Sequence, residues 1–316
     1  MRSARLVGPG RVEMTTVSRP VAGAGQVVVD IEGCGVCGSN LPVWEGRPWF
    51  EYPLDAGAPG HEAWGRIDDL GDDVPDLTLG QRVAVVSGHA FAEAAVVAAA
   101  DVVPLPDGLT GAFPGEAIGC AFNAAARSGF APGQTVAVVG IGFLGAILTA
   151  LAVDAGARVV AISRRPFSLD VARAMGASET VLIDDLDRVV RRVEDLTDGA
   201  LCQVVVEAVG TQAPLDLAGR LTGVRGRLVI VGYHQDSPRS VDMQLWNWRG
   251  IDVVNAHERD PAVIREGIRL AAEAVAGGRL DPRPLYTHRF PLDRLGAALG
   301  ALGERPDGFL KALVTT

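Results

Sequence analysis

Short apolar runs alternate with helix-length segments in the middle of the chain, beginning after the turn at Pro132-Gly133. The runs are rich in Val, Ile and Ala and carry few polar positions, which is typical of strands buried on both faces. Strands that alternate with helices predict a parallel sheet covered by helices on both sides. The predicted strands are Thr135–Val139, Arg158–Ile162, Thr180–Ile183, Gln203–Val206, Arg227–Val231 and Asp252–Asn255, and the first predicted helices are Phe143–Ala155 and Phe167–Met175.

The N-terminal part of the chain has a different pattern. Apolar segments that start at Gln26, Ala63 and Gln81 each run into turns that contain glycine, which indicates short strands of an irregular, mostly β domain. The last fifty residues are interrupted by Pro282, Pro306 and further prolines, so we expect short, irregular elements there, as in the N-terminal part. We therefore expect an α/β chain in which a doubly wound parallel sheet accompanies a mostly-β domain.

Length and charge narrow the class of protein. The chain has 316 residues, which suits about two domains, and a formal net charge of −9 without a run of Lys or Arg. Because phosphate binding needs clustered positive charge, nucleic acid is not an expected partner. Four cysteines are too few for a disulfide scaffold in a chain of this length.

One apolar stretch has the length of a membrane span. Val136–Val153 carries no charge, and about 18 apolar residues is where a transmembrane prediction begins. Gly140, Gly142 and Gly145 interrupt it, however, at a spacing that has another explanation. The N-terminal residues carry positive charge without the apolar core of a signal peptide. We expect no membrane partner and a cytoplasmic location.

The three glycines form the motif Gly140-x-Gly142-x-x-Gly145, directly after a predicted strand and at the start of a predicted helix. In a dinucleotide-binding βαβ unit the first glycine permits the tight turn, the second lets the backbone approach the pyrophosphate, and the third lets helix and strand pack closely. The helix N-terminus then offers unpaired N–H groups to the phosphates. Because the following strand also fits, we predict a dinucleotide site.

The end of the second strand of this unit indicates which dinucleotide binds. Sites that prefer NAD place Asp or Glu there to accept from the ribose 2′-OH, whereas this chain has Ser163, Arg164 and Arg165. A hydroxyl and guanidinium groups suit a 2′-phosphate, because arginine presents forked donors to phosphate oxygens. The alternative is that both arginines are solvated residues at a helix start. We predict NADP(H) over NAD(H).

Candidate metal ligands are scattered along the chain. A catalytic zinc needs three Cys, His or carboxylate ligands and an open position. No second CxxC accompanies Cys34-Gly-Val-Cys37, so a closed four-cysteine site is not available. Spacing alone therefore does not favour a metal site over the alternative that these are ordinary core and surface residues. The candidate ligands are Cys37, His61, Glu62, Glu116 and Cys120.

Longer motifs strengthen the metal interpretation. Six motifs occur in order along the chain: CGVCGSN from Cys34, PGHEAWG from Pro59, GQRVAV from Gly80, VVGIGFLG from Val138, VVVEAVG from Val204, and the ending THRFPLDR…GFLKALV from Thr287. Together they resemble the zinc-dependent medium-chain dehydrogenase/reductase family over nearly the whole chain. The resemblance implies a GroES-like catalytic domain, residues 1–124 and 266–316, interrupted by a Rossmann domain that binds NADP(H), residues 125–265.

The resemblance also implies a set of zinc ligands. Cys37 and His61 match the first two ligands, and Glu62 matches an adjacent carboxylate that binds the ion in some members or states. The third position stays open between Glu116, as in polyol-type members, and Cys120, as in alcohol-dehydrogenase-type members. We favour an arrangement that uses Glu62 and Glu116, with Cys120 as its close alternative.

Catalytic and cofactor-binding residues follow from the same resemblance. Ser39 matches the hydroxyl that contacts the substrate oxygen and begins proton transfer beside a Lewis-acidic Zn2+, and Glu62 is the second catalytic residue. The cofactor-binding residues lie in the glycine motif, at the end of the second strand and in VVVEAVG, namely Gly140, Gly142, Phe143, Leu144, Gly145, Ser163, Arg164, Arg165, Ala208 and Val209.

Three features depart from the family pattern. Asn40 stands where the family usually has an Asp that holds the zinc-bound histidine, so the support of His61 should be weaker. Pro42 occupies the place of a histidine relay, which leaves His89 or a water chain to carry the proton. The cysteine-rich lobe that binds structural zinc is missing after Val86.

The predicted function is zinc-dependent transfer of a hydride between NADP(H) and a secondary alcohol or polyol, or the matching ketone. One alternative is a zinc-free quinone or enoyl reductase of the same superfamily, and another is a non-catalytic NADPH-binding sensor. The resemblance further implies a homodimer or homotetramer.

Overall fold

The computed structural model describes all residues from Met1 to Thr316, and the chain forms two compact units. Unit 1 comprises Met1–Gly119 and Asp260–Thr316, and unit 2 comprises Cys120–Arg259. Unit 2 is therefore an insertion within the chain of unit 1. The domain boundaries expected from the sequence, after residues 124 and 265, lie slightly later along the chain.

The elements are numbered in chain order. The strands are β1 (Arg2–Gly8), β2 (Arg11–Thr16), β3 (Gln26–Val36), β4 (Glu62–Leu70), β5 (Arg82–Val85), β6 (Ala94–Ala98), β7 (Val102–Pro104), β8 (Thr135–Val139), β9 (Arg158–Ser163), β10 (Glu179–Leu182), β11 (Cys202–Glu207), β12 (Thr222–Ile230), β13 (Asp252–Asn255), β14 (His288–Pro291) and β15 (Ala312–Thr315). The helices are α1 (Leu41–Glu45), α2 (Gly115–Ser128), α3 (Phe143–Asp154), α4 (Pro166–Ala174), α5 (Leu186–Leu196), α6 (Gln212–Leu221), α7 (Met243–Arg249), α8 (Pro261–Ala276) and α9 (Leu295–Glu304).

Unit 1 is the mostly-β domain that the N-terminal pattern predicts. Its main sheet has the order β14-β15-β3-β4-β5-β7, with β6 paired to β3, and β1 and β2 form a separate hairpin. The long strand β3 is the centre of the unit, because β15 and β4 both pair with it in antiparallel fashion. This pairing places the C-terminal strand beside CGVCG, with Val314 opposite Cys34.

Unit 2 is the doubly wound sheet that the alternating pattern predicts. Its six parallel strands have the order β10-β9-β8-β11-β12-β13, and every strand predicted for this region is present. Helices α3 to α6 alternate with the strands, and Val139, Val160 and Val205 are completely buried in the core. The strand order reverses between β8 and β11, which is where such sheets open a ligand crevice.

The apolar run Val136–Val153 belongs to this sheet. It supplies most of β8 and nearly all of α3, and its members Val136, Ile147 and Leu148 are fully buried in unit 2. None of the helices combines the length and the apolar character that crossing a bilayer requires.

Candidate functional site

Three of the predicted zinc ligands come together in unit 1. The Sγ of Cys37, a ring nitrogen of His61 and a carboxylate oxygen of Glu62 all lie within 4.8 Å of one another. Cys37 directly follows β3, whereas His61 and Glu62 stand at the start of β4, the antiparallel neighbour of β3. The pairing of Gly35 with Glu62 therefore brings the two sequence motifs to one place.

The imidazole ring of His61 is oriented by the main chain. Its Nδ1 lies 2.8 Å from the carbonyl oxygen of Pro59. Because a carbonyl can only accept a hydrogen bond, Nδ1 donates, and Nε2 is the nitrogen available to a metal ion. The Ser39 hydroxyl lies 3.4 Å from that Nε2. The predicted catalytic hydroxyl therefore stands beside the ring nitrogen that a metal ion could use.

Asn40 supports this site in a different way from the one expected. Its buried side chain accepts a hydrogen bond from the backbone N–H of Cys37 at 2.9 Å and donates to the Pro59 carbonyl at 3.3 Å. The partner of the His61 Nδ1 is thus Pro59, and Asn40 holds that carbonyl in turn. An amide suits this position because it donates and accepts, whereas a carboxylate only accepts.

Glu62 forms a buried ion pair that the sequence did not reveal. The side chains of Glu62 and Lys311 are 1% and 5% exposed. The Nζ of Lys311 donates a hydrogen bond to Oε1 at 2.7 Å, and Oε2 also contacts Nζ but accepts no hydrogen bond. Burial alone would lower the pKa of Lys311, but the neighbouring negative charges, Glu62 foremost, raise it. The lysine therefore stays charged and fixes the carboxylate.

The electrostatics of the cluster favour a cation. Burial alone would lower the pKa of His61, but the hydrogen bond to Cys37 and the charges of Cys37, Glu62 and Glu116 raise it to about 10. An imidazole that holds a proton this strongly lies in a strongly negative environment. The same negative environment would stabilise a bound metal ion, which must displace that proton from Nε2.

Glu116 and Cys120 both lie on α2, outside the three-residue cluster. Glu116 is in the first turn of the helix and is half-buried, and its charge contributes to the raised pKa values of His61 and Lys311. Cys120 follows one helical turn later, on the same face, as the first residue of unit 2. The choice between them as a further ligand stays a prediction.

The other two cysteines have the character of core residues. Cys34 and Cys202 are buried, at 1% and 0% exposure, and neither is in a disulfide. Burial raises the pKa of both thiols, that of Cys202 to about 12. A buried thiol that stays protonated is a poor metal ligand and a poor nucleophile.

The glycine motif stands at the carboxyl end of β8, as predicted. Gly140 has φ +101°, and a Cβ there would lie 2.4 Å from the Cγ2 of Val209. A Cβ on Gly145 would lie 2.0 Å from the carbonyl oxygen of Gly140, so helix and strand leave no room for a side chain. Gly142, the N-cap of α3, is exposed, and a Cβ there would meet nothing within 4 Å. The helix N-terminus therefore opens onto free space that suits a diphosphate.

The end of β9 carries no carboxylate. Ser163 is the last residue of the strand, and its Oγ accepts a hydrogen bond from the backbone N–H of Arg165 at 3.2 Å. Arg164 is exposed, Arg165 is half-buried, and α4 begins directly afterwards at Pro166. Ser163 and the two arginines that follow it therefore stand at the strand end that contacts the ribose in Rossmann folds.

The sequence interpretation missed Glu207 as well as Lys311. Glu207 ends β11, is completely buried, and accepts hydrogen bonds from the backbone N–H groups of Val209 and Gly210 at 2.8 Å each. The signal for it was present in VVVEAVG, because a charged residue that ends a buried apolar strand needs buried partners.

Two family models match this chain. The alcohol dehydrogenase GroES-like domain matches residues 23–107, and the zinc-binding dehydrogenase family matches residues 144–273. The first match falls in unit 1, and most of the second falls in unit 2.

Curated relatives match over most of their length. An alcohol dehydrogenase of Cupriavidus necator is 28% identical, over 99% of this chain and 98% of the relative. The L-galactonate-5-dehydrogenase of Escherichia coli K12 is 28% identical, over 87% of each chain. The crystal structure of galactitol-1-phosphate dehydrogenase from Escherichia coli has the same fold, with a TM-score of 0.87 at 22% identity and complete coverage of both chains.

Proposed function

Since this chain belongs to the zinc-type medium-chain dehydrogenase family and is an oxidoreductase, we propose that it transfers a hydride between NADP(H) and a secondary alcohol or polyol, or the matching ketone. The observation that carries the proposal is the cluster of Cys37, His61 and Glu62 in unit 1. The relatives include an alcohol dehydrogenase and an L-galactonate-5-dehydrogenase, and these names support a small substrate that carries a hydroxyl group.

The donor set fits a zinc ion. A thiolate, an imidazole nitrogen and a carboxylate are the ligand types that zinc takes, and the three donors already lie within 4.8 Å of one another. Cys37, His61 and Glu62 would hold the ion, with Glu116 or Cys120 as a further ligand. Bound there, zinc supplies Lewis acidity at the substrate oxygen. Ser39 would relay the hydroxyl proton: its oxygen accepts that proton while its own hydroxyl proton passes on to water, and the reverse direction returns it.

Zinc content and turnover test the proposal together. We expect about one zinc per chain, and we expect its removal with a chelator to stop the oxidation of secondary alcohols and polyols by NADP+. Metal-independent reduction of quinones or enoyl substrates would favour the zinc-free alternative instead. Tight NADPH binding without turnover across an alcohol and ketone panel would favour the sensor.

The further zinc ligand is tested by Glu116→Gln and Cys120→Ser. We expect Glu116→Gln to lower the zinc affinity more, because the Glu116 charge acts on His61, one of the proposed ligands. The measurement is zinc affinity by competition with a chromogenic chelator. A larger loss in Cys120→Ser would assign the position to the cysteine.

The cofactor preference is tested by replacing Arg164 and Arg165 together with alanine. Because both arginines directly follow β9, loss of their guanidinium groups should raise the Michaelis constant for NADPH by about tenfold or more and leave that for NADH nearly unchanged. Arg173→Ala is the matched control, since Arg173 is an exposed residue of α4 that pairs with Asp170. Equal effects on both cofactors would contradict the preference for NADP(H).

Self-association also stays a proposal. Strand β13 is an edge of the unit 2 sheet, and a free edge can pair with the same strand of a second copy about a two-fold axis. Exposed apolar side chains lie in β13 and in α7, the helix that precedes it in the chain: Val253 in β13 is 39% exposed, and Trp248 and Met243 in α7 are 87% and 60% exposed. These features support the homodimer or homotetramer expected from the sequence.

A further inference from the structure

A ring of hydrogen bonds stands at the carboxyl end of β11 in unit 2. It starts at the buried carboxylate of Glu207, whose Oε1 accepts from the backbone N–H groups of Val209 and Gly210. The other oxygen, Oε2, lies 2.9 Å from the Nε2 of His234. Both oxygens of the Glu207 carboxylate therefore have hydrogen-bond partners, which a charge removed from water requires.

The two hydrogen-bond partners of His234 determine which tautomer of its ring fits. The Nε of Arg239 donates to the Nδ1 of His234 at 2.8 Å. Because a guanidinium group can only donate, Nδ1 carries no proton, and the ring proton is on Nε2, from which it is donated to Glu207. Histidine suits this position because it accepts from Arg239 and donates to Glu207 at the same time.

The ring closes on the backbone of Gly210. The Nη2 of Arg239 donates to the Gly210 carbonyl at 2.9 Å, while the Gly210 N–H donates to Glu207. Gly210 has φ +88°, and a Cβ on the nearby Gly232 would lie only 2.2 Å from the Gly210 nitrogen. The loops that follow β11 and β12 are thus in direct contact, and a side chain at position 232 would not fit between them.

The segment that the ring holds faces the glycine motif. A Cβ on Gly140 would lie 2.4 Å from the Cγ2 of Val209 and 3.2 Å from the carbonyl oxygen of Ala208. Ala208–Gly210 therefore lies directly against the first glycine of the motif, where the strand order reverses. A displacement of this segment would change the crevice itself.

We propose that Glu207, His234 and Arg239 are positioning residues that hold Ala208–Gly210 as one wall of the dinucleotide crevice. The part of the inference that concerns the cofactor rests on the proposed function. None of the three needs to touch the cofactor, because they act through the backbone of the segment that they hold.

Two substitutions of His234 separate its hydrogen bonds from its bulk. His234→Leu keeps the side-chain size but leaves Oε2 of Glu207 without a donor, whereas the amide of His234→Gln can accept from Arg239 and donate to Glu207. Gln235→Leu, in the same loop, is the matched control. The readouts are hydrogen exchange of the Val209 and Gly210 amides without cofactor, and the dissociation constant for NADPH by fluorescence.

We expect His234→Leu to speed exchange of both amides and to weaken NADPH binding, each by about tenfold, and we expect His234→Gln to restore most of both. Gln235→Leu should match the wild type. Unchanged exchange in His234→Leu would overturn the inference, and so would faster exchange with unchanged NADPH affinity. A wild-type chain that binds neither NADPH nor NADH would instead refute the proposed function, and the cofactor part of this inference with it.

Discussion

Replacing Lys311 with methionine is expected to lower the free energy of unfolding by about 3–5 kcal/mol at pH 7. The substitution keeps much of the side-chain volume but removes the cation that donates a hydrogen bond to the carboxylate of Glu62, which is 1% exposed. An unpaired buried charge is strongly destabilising, because nothing replaces the water that it loses on folding. Urea unfolding of the chelator-treated protein measures the effect without a contribution from bound metal.

Two further variants test whether the charge is the cause. Lys311→Arg keeps the positive charge and should retain most of the stability. Adding Glu62→Gln to Lys311→Met removes the unpaired charge, so the double variant should be more stable than Lys311→Met alone. If Lys311→Met unfolds at the wild-type urea concentration, the ion pair contributes nothing to the fold.

The parts of the molecule that were predictable from sequence are those encoded by neighbouring residues. The strands of unit 2 follow from short apolar runs, and the turn around Gly140 follows from glycines at fixed spacing after such a run. Cys37, His61 and Glu62 could be chosen as candidates because each lies in a compact motif that resembles a known family. Their convergence required only that β3 and β4 be neighbours.

The partners of these residues were not predictable in the same way. Lys311 is 249 positions from Glu62 in the chain, and the two meet because β15 and β4 both pair with β3. Asn40 shows a related limit: its residue type was recognised as a departure, but its partners are the backbone groups of Cys37 and Pro59. Because every residue has the same backbone N–H and C=O groups (proline lacks the N–H), residue types do not indicate which backbone groups a side chain will contact.

His234 illustrates how a residue without a motif acquires a role from the fold. No motif around His234 in the sequence indicates a functional role. The role proposed for it follows from its hydrogen bond to the buried Glu207, 27 positions earlier in the chain. A carboxylate at the end of an apolar strand predicts that partners exist, but the return of the chain after β12 determines which residues they are.

Replacing Cys37 with serine or His61 with alanine is expected to reduce turnover by about a thousandfold or more. Each substitution removes a donor from the three-residue cluster, so the chain should also lose stoichiometric zinc. Loss of the proposed zinc ion would remove about several kcal/mol of stabilisation from the charge that develops on the substrate oxygen, and each 1.36 kcal/mol is about tenfold in rate. Zinc analysis and steady-state kinetics with NADP+ and a secondary alcohol measure both effects.

NADPH binding and a control cysteine make this prediction specific. Both variants should bind NADPH with nearly the wild-type affinity, because the residues proposed for the cofactor belong to unit 2 and the cluster belongs to unit 1. Cys202→Ser makes the same chemical change at a buried cysteine of unit 2 and should keep both zinc and turnover. If Cys37→Ser and His61→Ala both remain active, the zinc mechanism is wrong for this chain. If they lose NADPH binding as well, the loss of turnover reports damage beyond the metal site.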